Sequence, residues 1–343
     1  MTVSVCMIVK NEEAVLARCL DCLTGIADEI IIVDTGSVDS TKSIAAKYTD
    51  KIYDFEWVND FAAARNFAFS LATMDYIYSA DADEIIDDVN IQKFRILKAS
   101  LLPEIEIVQM KYGNQLENGT VYNFDEEYRP KLFKRVRNFT WIEPVHEQVR
   151  LDPVVFDSDI VITHKPHAVH AARDIAIFKE KLEKGEELSP RLWDMFAKEL
   201  FIAGSDEELV SCSGLFKEYE LTPMDENLHQ VVCTVAARAS RIAGDATGFF
   251  KYAVKVLAGS EGCSEVCYEM GLFYEKSGDL SEAFVWFYNA AYETEPVIRL
   301  STHTTEPIEH LIKICEASGN TEQAVFYKKE LEARKMSEQN VGR

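Results

Sequence analysis

Two aspartates separated by one alanine, Asp81-Ala82-Asp83, are the sharpest chemical feature of the sequence. In an extended segment, side chains at i and i+2 point to the same side and the residue between them points away. Two carboxylates so placed repel one another unless a cation lies between them. All-oxygen donors suit Mg²⁺ or Mn²⁺, which can also bridge to a diphosphate. The same triplet can be a solvated acidic turn or a helix N-cap, because Glu84, Asp87 and Asp88 follow it. Its position at the end of a parallel strand tips the balance toward metal chemistry.

Other residues could join it. Asp34 closes Val33-Asp34-Thr35-Gly36-Ser37 and could accept hydrogen bonds from a base or a ribose; on its own it is equally a turn aspartate. Arg65, in Ala64-Arg65-Asn66, could pair with phosphate or hold a carboxylate through two parallel bonds, or be an ordinary surface arginine. His146-Glu147 could supply a general base and the group that orients it, or be a strand-end pair with one side chain buried. His164 ends an apolar run and could complete a metal site. His164, His167 and His170 recur every three residues, a weak zinc pattern, and the last two read better as a solvated loop. Cys19 and Cys22 form a CxxC, but no second pair stands at metal-ligand spacing, which argues against redox or zinc use.

The elements that must position these residues alternate between strand and helix. Val3–Val9 is a continuous apolar run, as for a buried parallel strand. A helix is expected over Glu13–Leu23, then a strand over Glu29–Val33. A helix capped by Asp39-Ser40-Thr41 runs through Tyr48, and Lys51–Phe55 is a third strand. An alanine-rich helix spans Asp60–Thr73, and a fourth strand, Tyr76–Ser79, ends at the acidic triplet. This order implies a doubly wound parallel sheet, in which ligands bind beyond the carboxyl ends of the strands. Asp34 and Asp81 both fall there. Shorter strands over Ile105–Tyr112, Thr120–Phe124, Lys131–Lys134 and Asp159–Thr163 suggest a mixed extension of the sheet.

Beyond about Ala171 the strands stop. Four helical hairpins align on Gly204, Gly244, Gly278 and Gly319. The clearest carries Gly271, Tyr274, Gly278, Ala283, Phe287 and Ala290, the small-residue pattern of a tetratricopeptide repeat of about 34 residues. The other copies fit an irregular helical bundle as well. A helical solenoid offers a concave surface suited to a peptide or a partner protein. The expected division is therefore residues 1–170 for the α/β part and 171–343 for the helices.

The chain of 343 residues is long enough for two domains, and its formal net charge is −22. That charge argues against a nucleic-acid binder, which needs a basic footprint. It also means that a nucleotide diphosphate would need a cation or local basic groups to offset repulsion. No segment approaches the roughly 20 apolar residues that span a bilayer, and Val3–Val9 is too short for a signal peptide. A cytoplasmic protein is expected, with its eight cysteines as buried thiols rather than a disulfide frame.

Taken in order, Ser4 to Glu12 (SVCMIVKNE), Ile32 to Ser37 (IVDTGS), Trp57 to Asn66 (WVNDFAAARN) and Asp81 to Glu84 (DADE) resemble the family-2 glycosyltransferases with the GT-A fold. Val145-His146-Glu147 and the strand end at His164 fit the same resemblance. Within that family the chain resembles the subgroup with C-terminal tetratricopeptide-like helices, which includes the sublancin-type peptide S-glycosyltransferases. The resemblance implies a UDP-sugar donor, with Ile8, Lys10 and Asp34 at the base and Arg65 facing the diphosphate or bracing the acidic triplet. Asp81 would hold the ribose and, with Asp83 and His164, a Mn²⁺ or Mg²⁺ ion. It implies inversion by a single displacement onto a peptide or protein side chain (Cys or Ser/Thr), with Glu147 or His146 as base. The Arg/Gln-Arg-Trp stretch of many relatives is absent, and Lys165-Pro166-His167 replaces their glycine turn. The competing expectations are transfer to a glycan or lipid-linked saccharide and a catalytically dead repeat scaffold. The helical half is also a candidate homodimer surface.

Overall fold

The computed structural model describes residues 1–113, 127–149, 153–165, 171–259 and 262–341. The described residues form two compact units, one lying within residues 1–169 and the other within 170–343. The expected strand at Thr120–Phe124 and the histidines His167 and His170 lie outside the described residues.

The first unit is an α/β sheet. Its strands are β1 (Val3–Val9), β2 (Glu29–Asp34), β3 (Ile52–Asp54), β4 (Tyr76–Ala80), β5 (Glu84–Ile85), β6 (Ile107–Gly113), β7 (Glu127–Lys134) and β10 (Val155–His164), with a separate hairpin of β8 (Trp141–Ile142) and β9 (Gln148–Val149). The sheet order is β3-β2-β1-β4-β7-β6-β10-β5. The first four strands are parallel, while β7 runs antiparallel to both β4 and β6. The doubly wound half therefore continues into a mixed half, as the change of pattern after Ile105 suggests.

Both faces of the parallel strands are covered, so alternate residues enter different cores. Val3, Val5, Met7 and Val9 of β1 join Ile30 and Ile32 of β2 and Tyr76 and Tyr78 of β4. On that face pack α1 (Leu16–Leu23) and α4 (Asp88–Ser100). Cys6, Ile31, Val33 and Ile77 take the other face with Ala62, Ala68 and Phe69 of α3 (Phe61–Ser70). The alanines let α3 approach closely, and Asp60 caps it by accepting from the Ala63 N–H at 2.9 Å.

Several boundaries differ from expectation, and one helix is new. Helix α1 begins at Leu16 rather than Glu13, because Glu12 and Glu13 are used in a loop tie. The Glu12 N–H donates to Thr41 Oγ1 at 2.7 Å, and Glu13 accepts from the Ser40 N–H at 3.0 Å. Helix α4 has no counterpart among the sequence expectations. Its N-cap is Asp87, whose carboxylate accepts from the Asn90 N–H at 2.8 Å, so the helix-cap reading fits this aspartate rather than the triplet.

The second unit contains ten α-helices among the described residues: α5 (Ala171–Glu183), α6 (Pro190–Ala203), α7 (Asp206–Tyr219), α8 (Glu226–Ile242), α9 (Ala246–Gly259), α10 (Ser264–Ser277), α11 (Leu280–Tyr292), α12 (Ser301–Thr304), α13 (Glu306–Ala317) and α14 (Thr321–Val341). Each of the four aligned glycines sits between paired helices. Gly244, Gly278 and Gly319 adopt φ of 75°, 84° and 75°, the left-handed helix end that favours glycine. Gly204 has φ of −67°, so that turn is of a different kind. Gly271 is required for closeness: a Cβ there would meet the Phe287 ring at 2.5 Å. All eight cysteines are free thiols and seven are buried, as their composition context implies.

Candidate active site

Strand β4 sends Ser79 to the same face as Ile77, toward α3, and stops at Ala80. Asp81 to Glu84 then turns, closed by a bond from the Glu84 N–H to the Asp81 carbonyl at 3.2 Å. The turn breaks the strand geometry that would have aimed Asp81 and Asp83 together, so the two carboxylates part company.

Asp81 is held by two cations. Arg65 Nη2 donates to Asp81 Oδ1 at 2.7 Å, and Lys131 Nζ reaches Asp81 Oδ2 at 3.2 Å. Arg65 also donates to Ser79 Oγ at 3.0 Å and through Nε to Glu147 Oε1. Its guanidinium carbon stands 5.3 Å from the Trp141 ring centre. Lys131, almost fully buried on β7, pairs with buried Glu84 and donates to the Ser79 carbonyl at 3.2 Å. Burial alone would raise the Asp81 carboxyl, but the Arg65 and Lys131 charges overcome it and hold it well below the usual range. Burial pushes the Glu84 carboxyl up against the pull of Lys131, and the Asp81 charge adds to the rise.

Asp83 goes to His164 instead. His164 Nε2 lies 3.1 Å from Asp83 Oδ2. The antiparallel pairing of His164 with Glu84, at the end of β10, brings them together. Asp81, Asp83 and His164 do not form a group of three donors within 4.8 Å; among the described residues only Glu220, His229 and Cys233 do. Both oxygens of Asp81 meet cations here, so of the three expected ligands Asp83 and His164 are the two that stand side by side. That pair still fits a hard divalent ion, which commonly takes one or two protein ligands and completes its shell with phosphate oxygens and water. The charges agree. Arg65 and Lys131 pair with three carboxylates, Asp81, Glu84 and Glu147, and Asp83 meets only His164 among these pairs, so the cluster has room for added positive charge.

Asp34 ends β2, where Val9 of β1 pairs with it. Its Oδ1 accepts from the N–H groups of Gly36 and Ser37 at 3.0 and 2.9 Å. Its Oδ2 is buried and, among the described residues, has no hydrogen-bond partner. A buried oxygen of this kind is costly unless a ligand donor meets it. Ile8 is partly buried and Lys10 exposed on the neighbouring strand end. The Asn11 N–H donates to Ser37 Oγ at 2.9 Å, tying this loop to the one carrying Asp34.

The β8–β9 hairpin positions Glu147. Asn66 of α3 holds it in place, donating to the Trp141 carbonyl at 2.9 Å and accepting from the Trp141 N–H at 2.8 Å. His146 occupies the left-handed region with φ of 49°. Arg65 engages Glu147 through Oε1, which would orient the carboxylate. Lys131 and Glu84 were missed as site residues in the sequence. Lys131 sits in a short strand that is otherwise read only by its apolar neighbours, and no spacing betrays that its ammonium turns inward.

Residues 4–146 match the glycosyl transferase family 2 profile. The family 2 glycosyl transferase profile thus matches within the α/β unit, and a helical region follows it. It is 26% identical over 222 residues to the SPbeta prophage-derived glycosyltransferase SunS of Bacillus subtilis, covering 61% of this chain and 51% of that protein. It is 48% identical over 82 residues to a TPR repeat-containing protein of Synechococcus elongatus, covering 24% of this chain and 20% of that one. The chain therefore spans about half the length of the first relative and a fifth of the second. Among solved structures, glucosyl-3-phosphoglycerate synthase from Mycobacterium tuberculosis in complex with Mn²⁺, UDP and glucosyl-3-phosphoglycerate aligns over 55% of this chain and 81% of its own, at 14% identity and a TM-score of 0.40. No helix among the described residues is long and apolar enough to cross a membrane.

Proposed function

We propose that the chain is an inverting, metal-dependent glycosyltransferase that moves a hexose from a UDP-sugar to a peptide or protein side chain, Cys or Ser/Thr. The observation that carries this reading is the placement of three acidic groups at strand ends within the stretch that matches the family 2 profile: Asp34 ends β2, Asp81 follows β4, and Asp83 lies against His164 of β10. Asp34 Oδ2 would accept an N–H of the uracil ring, with Ile8 and Lys10 lining the same strand ends. Asp83 and His164 would hold Mn²⁺ or Mg²⁺, which when bound supplies Lewis-acid neutralisation of the leaving diphosphate. Arg65 and Lys131 fix Asp81 so that it can face the ribose without swinging toward the metal ligands.

In the displacement, the acceptor sulfur or oxygen forms a bond to the anomeric carbon as the bond from that carbon to the diphosphate oxygen breaks. The acceptor proton goes to a protein base. Glu147 and His146 are the candidates for that base. A thiol acceptor, with a pKa near 8.5, needs less help from that base than a hydroxyl. The first unit, residues 1–170, would carry the chemistry. The helical unit, 171–343, would bind the acceptor, because paired helices of repeat type present extended surfaces to peptides.

The test is to mix the full chain with Mn²⁺ or Mg²⁺ and a panel of nucleotide sugars, and to follow nucleoside diphosphate release. Slow hydrolysis of one uridine-linked donor is the expected result. Absence of both turnover and thermal protection with every donor, in either metal, would remove the enzyme reading.

A further inference from the structure

The helical unit contains a polar cluster that the sugar-transfer reading does not use. Glu220 follows the last turn of α7, and His229 and Cys233 stand one turn apart on α8. His229 Nε2 lies 3.4 Å from Glu220 Oε1 and 3.6 Å from Cys233 Sγ. One donor atom from each of the three residues falls within 4.8 Å of the others. We propose that Glu220, His229 and Cys233 bind a single Zn²⁺ ion, with water in the fourth position.

The spacing supports this. Zinc bonds of about 2.0 Å to nitrogen and oxygen and about 2.3 Å to sulfur, at tetrahedral angles, separate N from O by about 3.3 Å and S from N by about 3.5 Å. The two edges from His229 Nε2, 3.4 Å to Glu220 Oε1 and 3.6 Å to Cys233 Sγ, match these. The donor set is also selective. The thiolate favours a borderline-soft ion over Mg²⁺ or Mn²⁺, so this site and the Asp83–His164 pair, which has no sulfur, would sort different metals. Burial completes the picture: Cys233 is fully buried, the Glu220 side chain is 5% exposed, and His229 at 35% gives water an approach.

Lys255 of α9 also pairs with Glu220 Oε1. The second oxygen, Oε2, is buried with no hydrogen-bond partner among the described residues. Oε1 is the oxygen that faces His229, so on metal binding it would pass from Lys255 to the ion and Lys255 would turn to Oε2. Burial, and then the Glu220 charge, raise the Cys233 thiol to about 12, so it is protonated before the metal arrives. On binding, Sγ gives its proton to solvent and forms the S–Zn bond, releasing one proton per ion. The ion would clip the end of α7 to α8 across residues 221–225.

The test uses the full chain, stripped by chelator and titrated with Co²⁺. The expected result is a thiolate-to-cobalt charge-transfer band with the visible bands of four-coordinate Co²⁺, both displaced by Zn²⁺. Cys233→Ala and His229→Gln should each weaken Zn²⁺ binding by more than about 100-fold, beyond the usual loss from an outer-shell partner. His229 is partly exposed, so its variant keeps the test valid if Cys233→Ala fails to fold. Asp83→Ala should leave the band unchanged, which separates this site from the transfer site. Absence of a sulfur band, or a band that survives Cys233→Ala and disappears in Cys22→Ser, overturns the proposal.

Discussion

Two sets of buried carboxylates, one in each unit, are satisfied in opposite ways. In the helical unit Glu265 is fully buried, and its carboxylate accepts from the backbone N–H groups of Val297, Ile298 and Arg299 at 2.7 to 3.2 Å. In the α/β unit Asp81, Glu84 and Glu147 are met instead by the side chains of Arg65 and Lys131. Backbone donors are fixed by the fold and cannot be exchanged. Side-chain cations can release a carboxylate and turn to a phosphate. The first arrangement stabilises a chain segment; the second is poised for a ligand. The difference teaches that burial of charge alone does not mark a site, and that the kind of partner, fixed backbone donor or exchangeable cation, must be weighed with it.

Four substitutions would break or sharpen this contrast. Asp83→Ala should lower donor turnover at least about 10³-fold while stability shifts by less than about 0.5 kcal/mol; a denaturant melt beside the release assay reads both. Arg65→Met strands Asp81 and Glu147 and should destabilise by about 3–5 kcal/mol. The sign of its pH dependence follows from Asp81. A carboxyl depressed in the folded state contributes stability above its unfolded value, which is lost as pH falls through the folded value. Melts of the wild type should therefore weaken on acidification toward pH 4 and below more steeply than those of Arg65→Met.

Glu265→Gln should cost about 2–3 kcal/mol by weakening charge-assisted bonds, with donor affinity unchanged in a binding titration. If donor affinity fell as well, the division between structural and exchangeable carboxylates would fail. The smallest effect belongs to Gly271→Ala. The added methyl meets the Phe287 ring, and overpacking of this kind costs about 1–3 kcal/mol, read as a lower melting temperature.

Much of the fold was legible because it rests on local pattern. The apolar runs of β1, β2 and β4 and the alanine-rich α3 each declare themselves within a few residues. Less legible were β5, only Glu84–Ile85, and the two-residue strands of the β8–β9 hairpin. Strands so short exist because neighbours supply their pairing, and a window of sequence contains no trace of the neighbour. Helix α4 was hidden for another reason: its N-cap, Asp87, lay inside an acidic run that competed for a different reading.

The candidate site divides along the same line. The sequence by itself determined which carboxylates end parallel strands, because strand ends and turn residues are local, and so it singled out Asp34, Asp81 and Asp83. It also determined that a helix would carry Arg65 and that helical hairpins would turn near Gly244, Gly278 and Gly319. Only the tertiary structure decided the partners. Lys131 arrives from a strand 50 positions away in sequence, and Glu147 from a hairpin pinned by Asn66, |i−j| of 50 and 82 for the bonds to Asp81 and Arg65. Charges act through space, and the contacts that set them are fixed by packing of distant segments rather than by any spacing along the chain.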